Sequence, residues 1–404
     1  MFFACLVNVT WLVTVAILGG GQRNAADLHQ HITMAQAAKP FFHGEPGHGG
    51  VDLTWSPRIK LRNQVETEHL LRTQTRVVVA TVWPPVSLRP GRGPLDEALN
   101  QLEQLHAFAR RHPEYSVVST PEEARRAVAH GRIALIPAVE GGEGIAQVSD
   151  VDRLWAAGAR SLTLMHLGDG PLGGSAAGQT KYNSFDIIEP NFNPLGLTEL
   201  GREVVKRMLE LGMIIDLAHA SDQTSEEVLS MAEEYGAPVV NTHGGARAFL
   251  PIERNTPDAL VARITKGGGM VGVTLSDHQT ARVPEGAKWE GYVDGSCDDI
   301  VAHWKQLLSA AASPEQLAVG SDWNGWILRA PPGGSCPNGL RNTGDLTDFY
   351  DALVKHGVPE AAIDGMGEQF LKTWDAVSAK ATVQAREEAR EADAHAASPF
   401  DVAM

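Results

Sequence analysis

Positive charge is scarce in this 404-residue sequence: 34 Lys and Arg stand against 49 Asp and Glu, and the formal net charge is −15. Nucleic acids are held by clustered cations, so the balance argues against a nucleic-acid partner and leaves only a local basic groove open. Cysteine is scarcer, with three in the chain. Cys5 falls in the first apolar run, and neither Cys297 in "GSCDD" nor Cys336 in "GGSCPN" has the spacing of a metal site. In an exported protein these two are placed to form a disulfide between loops; two free thiols are the alternative. Long apolar runs are missing beyond the start, where "MFFACLVNVTWLVTVAIL" leads uncharged into "GGGQRNAA". That run reads as an export signal or a short membrane anchor, although no Lys or Arg precedes it; a buried strand is the other reading. Also missing is a G-x-G-x-x-G opening a helix after the first strand, which removes the main support for a dinucleotide-binding fold.

What is present is a globular composition, 43% apolar and 21% charged, long enough for one large domain or two ordinary ones. Short strands rich in Val, Ile and Leu alternate with amphipathic helices. The strand candidates are Ala25–His29, Arg76–Trp83, Arg132–Val139, Arg160–Met165, Met213–Leu217, Pro238–Thr242, Gly269–Thr274 and Leu317–Ser321. Over Thr198–Leu211, the residues Leu200, Val204, Met208 and Leu211 recur on one face, and Gly212 is placed to stop the helix. Another helix is expected from Thr256 as the capping residue, with Pro257 at the first helical position. Further helices are expected over Leu95–Arg110, Pro121–Ala129, Glu226–Tyr235 and Asp298–Ala311.

Eight strands alternating with helices predict an α/β fold, a (β/α)8 barrel with all strands parallel. A doubly wound open sheet shares the alternation. The chain then divides into a signal or anchor over residues 1–22, a barrel domain over 23–380, and a tail over 381–404. The tail is charged and Ala-rich, expected to continue the last helix and then fray.

Active sites of such barrels form at the carboxyl ends of the strands. There this sequence puts His29 and His31 in "DLHQH", Glu140 in "ALIPAVEGG", His166 in "SLTLMH", His219 in "IIDLAHAS", His243 in "PVVNTHGG" and Asp322 in "LAVGSDWNG". Five histidines and two carboxylates facing one mouth suit Zn2+ or a similar divalent ion. His43 and His48 lie in a Gly-rich loop, and His106, His112 and His130 fall on or beside helices, so these stand outside the set.

At this point the sequence resembles the renal or membrane dipeptidases of the amidohydrolase superfamily, from about Ala26 to Val377. The likeness is densest in "VEGGEGI", "ARSLTLMH", "GLTELGREVVKRMLELGMIIDLAHAS", "PVVNTH" followed by "RN", and "VGSDWNG". The resemblance implies a (β/α)8 barrel of the metal-dependent hydrolase type with two zinc ions. It makes His29 and the position of His31 ligands of the first ion, Glu140 the bridging glutamate, and His219 and His243 ligands of the second. It makes His166 a histidine that contacts substrate, Arg254 in "PIERN" the arginine that holds the substrate's terminal carboxylate, and Asp322 the acid/base aspartate. Two positions depart from the family: His31 stands where aspartate is usual, and Asn324 where "D-x-D-G" has its second aspartate.

The reaction implied is hydrolysis of the peptide bond of a dipeptide by a hydroxide bridging two zinc ions. His166 would donate to the developing oxyanion and Asp322 would carry a proton to the leaving amine. The partner is a small dipeptide, the setting is export (periplasmic, extracellular or membrane-anchored) or the cytoplasm if the N-terminal segment is not a signal, and any membrane association runs only through that segment; a homodimer stays open. The rival substrates are N-acyl amino acids and lactones. A metal-dependent deoxyribonuclease of the same superfamily is disfavoured by "VEGG", "GLTELGREVV" and the acidic balance, and a retired barrel by the competent residue at every ligand position.

Overall fold

A computed structural model describes residues 23–34, 63–84, 91–176, 192–282, 295–325, 331 and 333–396, together with four short strands between residues 43 and 61. The apolar run over residues 1–22 lies outside the described residues.

Eight parallel strands close into a barrel: β1 (Ala25–Gln30), β2 (Thr75–Val82), β3 (Ile133–Glu140), β4 (Ser161–Thr163), β5 (Ile214–Asp216), β6 (Val240–Gly244), β7 (Met270–Thr274) and β8 (Leu317–Gly320). Each pairs with its neighbours in chain order, and β1 returns to β8 through Asp27 opposite Val319, which closes the ring. A cyclic order separates the barrel from the open sheet, which has two edges. Every residue of β3 is buried, as expected for a strand covered by side chains on the inside and helices on the outside.

The expected strands are all present, with ends shifted by one or two residues. β4 and β5 are the shortest, three residues each; β4 ends at Thr163, so His166 stands three residues beyond it. Strands outside the ring were not expected, among them Tyr115–Val117, which pairs in parallel with the first residues of β3. Three residues are too few to show a period. The stretch containing His43 and His48 was expected as a loop, yet its backbone forms an antiparallel pair, His43–Glu45 with His48–Val51.

The helices follow local signals closely. Besides Thr67–Arg72, Asp277–Thr280 and Leu346–Lys355, they are α1 (Pro94–Arg111), α2 (Pro121–Ala129), α3 (Ser149–Ala156), α4 (Glu199–Leu211), α5 (Asp222–Tyr235), α6 (Asp258–Lys266), α7 (Cys297–Ala310), α8 (Glu360–Ser378) and α9 (Val383–Ala396). The Thr198 hydroxyl caps α4 by accepting from Gly201 N, and Gly212 ends it with φ 69°, a backbone conformation that glycine adopts without a Cβ penalty. Val204, Met208 and Leu211 are fully buried against the barrel, each contributing about 1.5–3 kcal/mol. α5 starts earlier than its periodicity suggests because Ser221 accepts from Thr224 N and sets the first turn. At α6 the expectation fails: Pro257 is the N-cap, and the Thr256 hydroxyl accepts instead from Asn241 Nδ2 at 3.2 Å. A buried amide on β6 competes for that hydroxyl and wins.

The chain's end was expected to continue α8 and then fray; residues 397–404 lie outside the described residues, and the continuation is not what the structure shows. Instead α9 is a separate helix laid on α3 and α4: Ala385 and Ala389 are buried, Glu388 meets Arg207 at 3.1 Å, and Arg386 donates to Leu211 O. Cys297, the first residue of α7, and Cys336 are joined by a disulfide with Cα atoms 5.8 Å apart. Closing a loop of 39 residues stabilises the fold by about 4 kcal/mol in the chain-entropy view. Among the described residues, no helix is long and apolar enough to cross a membrane.

Candidate metal centre

The carboxyl ends of β1, β3, β5, β6 and β8 converge on one buried polar cluster. His29 lies on β1 and His31 one residue past its end; both are 1% exposed. Their Nε2 atoms are 3.2 Å apart. Across the barrel, His219 Nε2 and His243 Nε2 are 3.1 Å apart. Two nitrogens bound to one tetrahedral zinc at about 2.0–2.1 Å stand about 3.3 Å apart, so each pair has the spacing of one edge of a coordination tetrahedron.

Glu140, the last residue of β3, sits between the pairs. Its Oε1 lies 3.1 Å from His219 Nε2, 3.6 Å from His243 Nε2 and 3.4 Å from His29 Nε2, while Oε2 lies 3.3 Å from His31 Nε2. His29, His31 and Glu140 form one group of candidate ligand atoms within 4.8 Å of one another, and Glu140, His219 and His243 form a second. A carboxylate shared by two histidine pairs fits a pair of divalent ions.

Asp322 completes the rim, with Oδ1 3.1 Å from His31 Nε2. Behind it Gly325 is required: a Cβ there would lie 2.0 Å from Asp322 Oδ1 and 2.5 Å from His31 Cδ2. His219, Asp322 and Asn324 all have positive φ, at 65°, 54° and 64°. Such conformations are costly outside glycine and cluster where geometry serves function. Asn324 does not face the cluster: its side chain accepts from Gln64 N at 2.8 Å and donates to Asn63 at 3.1 Å, tying the β8 loop to the chain entering β2.

Electrostatics reflect the crowding. Burial alone would raise the Glu140 carboxyl, but the charges of His166 and His29 and hydrogen bonds from His219 and His29 hold it well below the usual range. Burial alone would lower the His31 ring; Asp322 and Glu140 reverse that and lift it to about 9. His219 and His243 are held well below the usual histidine value by burial and by neighbouring charges that include Arg254.

His166 stands beside this cluster, Nε2 3.7 Å from Glu140 Oε1. Trp83 Nε1–H donates to its Nδ1 at 3.1 Å, which leaves the ring proton on Nε2, aimed into the site. Burial holds the ring below the ordinary histidine value, against the charges of Glu140 and Asp322, which act to raise it. Arg254 is buried on the loop after β6 and donates from Nη1 to His243 O at 2.9 Å. Its loop is fixed by Asn255, which accepts from Gly245 N and donates to Leu250 O and Gln279 O.

The seven strand-end residues therefore meet in one place, with Arg254 at its edge. Sequence reasoning missed the residues that hold them. Asp27 accepts from the Ser321 hydroxyl at 2.6 Å and from His29 N at 3.2 Å, joining β1 to β8, and burial pushes its carboxyl up to about 6. Asp216 receives Thr242 and Thr163 hydroxyls, each at 2.6 Å. A charged residue inside an apolar strand, as in "AADLHQ" and "MIIDL", is the signal that would have found both.

With the geometry in view, the comparisons with known proteins are consistent. The crystal structure of dipeptidase AC, a metallopeptidase of family M19, superposes with a TM-score of 0.65 at 20% identity, covering 88% of this chain and 99% of its own. The probable dipeptidase PvdM from Pseudomonas aeruginosa gives 0.69 at 18% identity, covering 89% and 96%. A metallopeptidase from Rhodobacter sphaeroides, solved with a phosphinate mimic of the dipeptide L-Ala-D-Ala, gives 0.66 at 20%, covering 88% and 99%. At that identity these likenesses establish the shared barrel. The family model for membrane dipeptidases matches residues 26–388, nearly the whole described chain, and the protein belongs to that family, peptidase family M19, as a metallodipeptidase.

Proposed function

We propose that this protein hydrolyses the peptide bond of dipeptides at a centre of two divalent ions, zinc by the family's habit. His29 and His31 hold the first, His219 and His243 the second, and Glu140 lies between them. The observation that carries the reading is the Glu140 carboxylate, with its oxygens within 3.6 Å of all four of those Nε2 atoms. When bound, the ions supply Lewis acidity and a water acidic enough to act as a nucleophile near neutral pH.

The chain's own groups do the rest. Arg254 receives the substrate's terminal carboxylate through its guanidinium fork, which orients a short peptide with a free end. His166, with its proton on Nε2, donates to the scissile carbonyl oxygen as negative charge develops there. Asp322 accepts a proton from the attacking water and returns it to the leaving amine. The dipeptide mimic held by the Rhodobacter sphaeroides relative supports the substrate class. The Cys297–Cys336 disulfide and the family's description as membrane dipeptidases support an exported protein.

The test is a panel of dipeptides, N-acyl amino acids and lactones offered to metal-loaded protein, with chelated protein as control. Dipeptide hydrolysis that chelation abolishes is expected. Turnover confined to acyl amino acids or lactones would move the assignment to those substrates, and fewer than about one zinc per chain after reconstitution would overturn the two-ion centre.

A further inference from the structure

A histidine that presents Nε2 to an ion must carry its proton on Nδ1, and the partner of that Nδ1–H decides how firmly the ring is aimed. Among the described residues, the Nδ1 atoms of His31 and His219 have no hydrogen-bond partner. Those of the other two histidines share one. Thr242 Oγ1 lies 3.1 Å from His29 Nδ1 and 3.0 Å from His243 Nδ1, although His29 and Thr242 are 213 positions apart in sequence.

The direction of these bonds follows from counting protons. A hydroxyl has one hydrogen and two lone pairs. Thr242 gives its hydrogen to Asp216 Oδ2 at 2.6 Å. Asp216 is already an acceptor on every side: Thr163 Oγ1 donates to Oδ2 at 2.6 Å, and the Thr242 and Ala218 backbone N–H groups donate to Oδ1 at 2.9 and 3.0 Å. Both lone pairs of Thr242 Oγ1 therefore face ring nitrogens, and each ring must donate from Nδ1. That leaves the Nε2 lone pairs of His29 and His243 directed into the two halves of the site.

The fold makes room for this contact. Cβ atoms on Gly272 of β7 and Gly320 of β8 would lie 1.7 and 1.9 Å from the Thr242 backbone O, so only glycine lets β7, which pairs with β6, and β8, one strand further round, come this close to Thr242. The β6–β7 register also shifts between Asn241 and Gly244. Thr242 is 1% exposed, and water does not compete for its hydroxyl.

We propose that Thr242, oriented by Asp216, is a positioning residue shared by both metal sites: one hydroxyl fixes the tautomer and ring direction of one histidine in each pair. This rests on the reading of the two pairs as metal-binding. Removing the hydroxyl then weakens both ions together, where losing one ligand would weaken one.

Thr242→Val removes the hydroxyl at nearly constant volume, and Thr242→Ser keeps it. Zinc stoichiometry and affinity are measured by chelator competition, with thermal melting of the metal-free proteins as a check on folding. Wild type is expected to hold two ions; Thr242→Val should hold both about 10- to 100-fold more weakly, and Thr242→Ser should stay close to wild type. Asp216→Asn, which faces the hydroxyl with an amide, should also weaken both ions. Nitrogen-15 spectra of the zinc-loaded wild type should show Nδ1–H on His29 and His243, and the valine variant should lose that uniform state. Unchanged affinity in Thr242→Val, weakening of one ion alone, or a serine variant as weak as valine would each overturn the shared role. Wild-type protein holding fewer than two ions would overturn the two-ion reading itself, and this inference with it.

Discussion

His31 Nε2 lies 3.1 Å from Asp322 Oδ1, so the second histidine of "DLHQH" packs directly against the aspartate at the end of β8. The resemblance to the family places an aspartate at this position; under the proposed function a neutral imidazole there would leave the centre one negative charge fewer. A carboxylate in its place would face Asp322 as a like charge.

His31→Asp should keep two ions and a measurable dipeptidase activity while changing the order of preferred dipeptides. His31→Ala should drop the bound metal to about one ion per chain, since only His29 and the shared Glu140 remain for the first. Metal analysis after dialysis checks both, and two retained ions in the alanine variant would mean that the first ion does not use His31.

Arg254 should act on binding more than on chemistry. Arg254→Met is expected to raise KM for dipeptides about 10- to 100-fold, the loss of a charge-assisted pair. Dipeptide amides, which lack the free carboxylate, should lose little. Equal losses for acid and amide would place the arginine's role elsewhere.

The Trp83–His166 pair predicts a graded series. His166→Ala should lower kcat about 10²- to 10³-fold, as expected for removal of one oxyanion donor, with metal content unchanged. Trp83→Phe should cost less, because it frees the tautomer without removing the ring. A His166→Ala variant that loses its metal would show that the ring acts on the ions and not on the substrate.

His303 gives a pH signature of stability away from the site. Buried beside Phe249, its Nδ1 accepts from Ala246 N at 2.8 Å, and burial holds its pKa down to about 4. The unfolded chain then binds the proton more readily than the fold, so stability from the neutral ring is fully present above pH ~6.5 and is lost as pH falls toward 4. The loss is about 3 kcal/mol. In urea titrations across that window, His303→Gln should flatten the slope relative to wild type; parallel curves would assign the slope to other groups.

Much of the barrel was legible because its signals are local. Thr198, Gly212 and the period of Val204, Met208 and Leu211 specify α4 without reference to any other element. Signals failed where a distant partner outbid a local one, as when Asn241 drew the Thr256 hydroxyl away from α6. Three-residue Tyr115–Val117 showed no pattern because its strand identity comes from pairing with β3. The candidate site was legible as a list, since barrel topology sends every strand end to one mouth and a histidine there is conspicuous.

By itself, then, the sequence determined the order of strands and helices and which chemically capable side chains reach the mouth, because both follow from residues close in the chain. Only the tertiary structure decided that the ring closes between β1 and β8, that Glu140 lies between two histidine pairs, and that Thr242 and Asp216 stand behind one ring of each. Those relations join residues up to hundreds of positions apart, and the distances and hydrogen directions that define them exist only once the strands are packed.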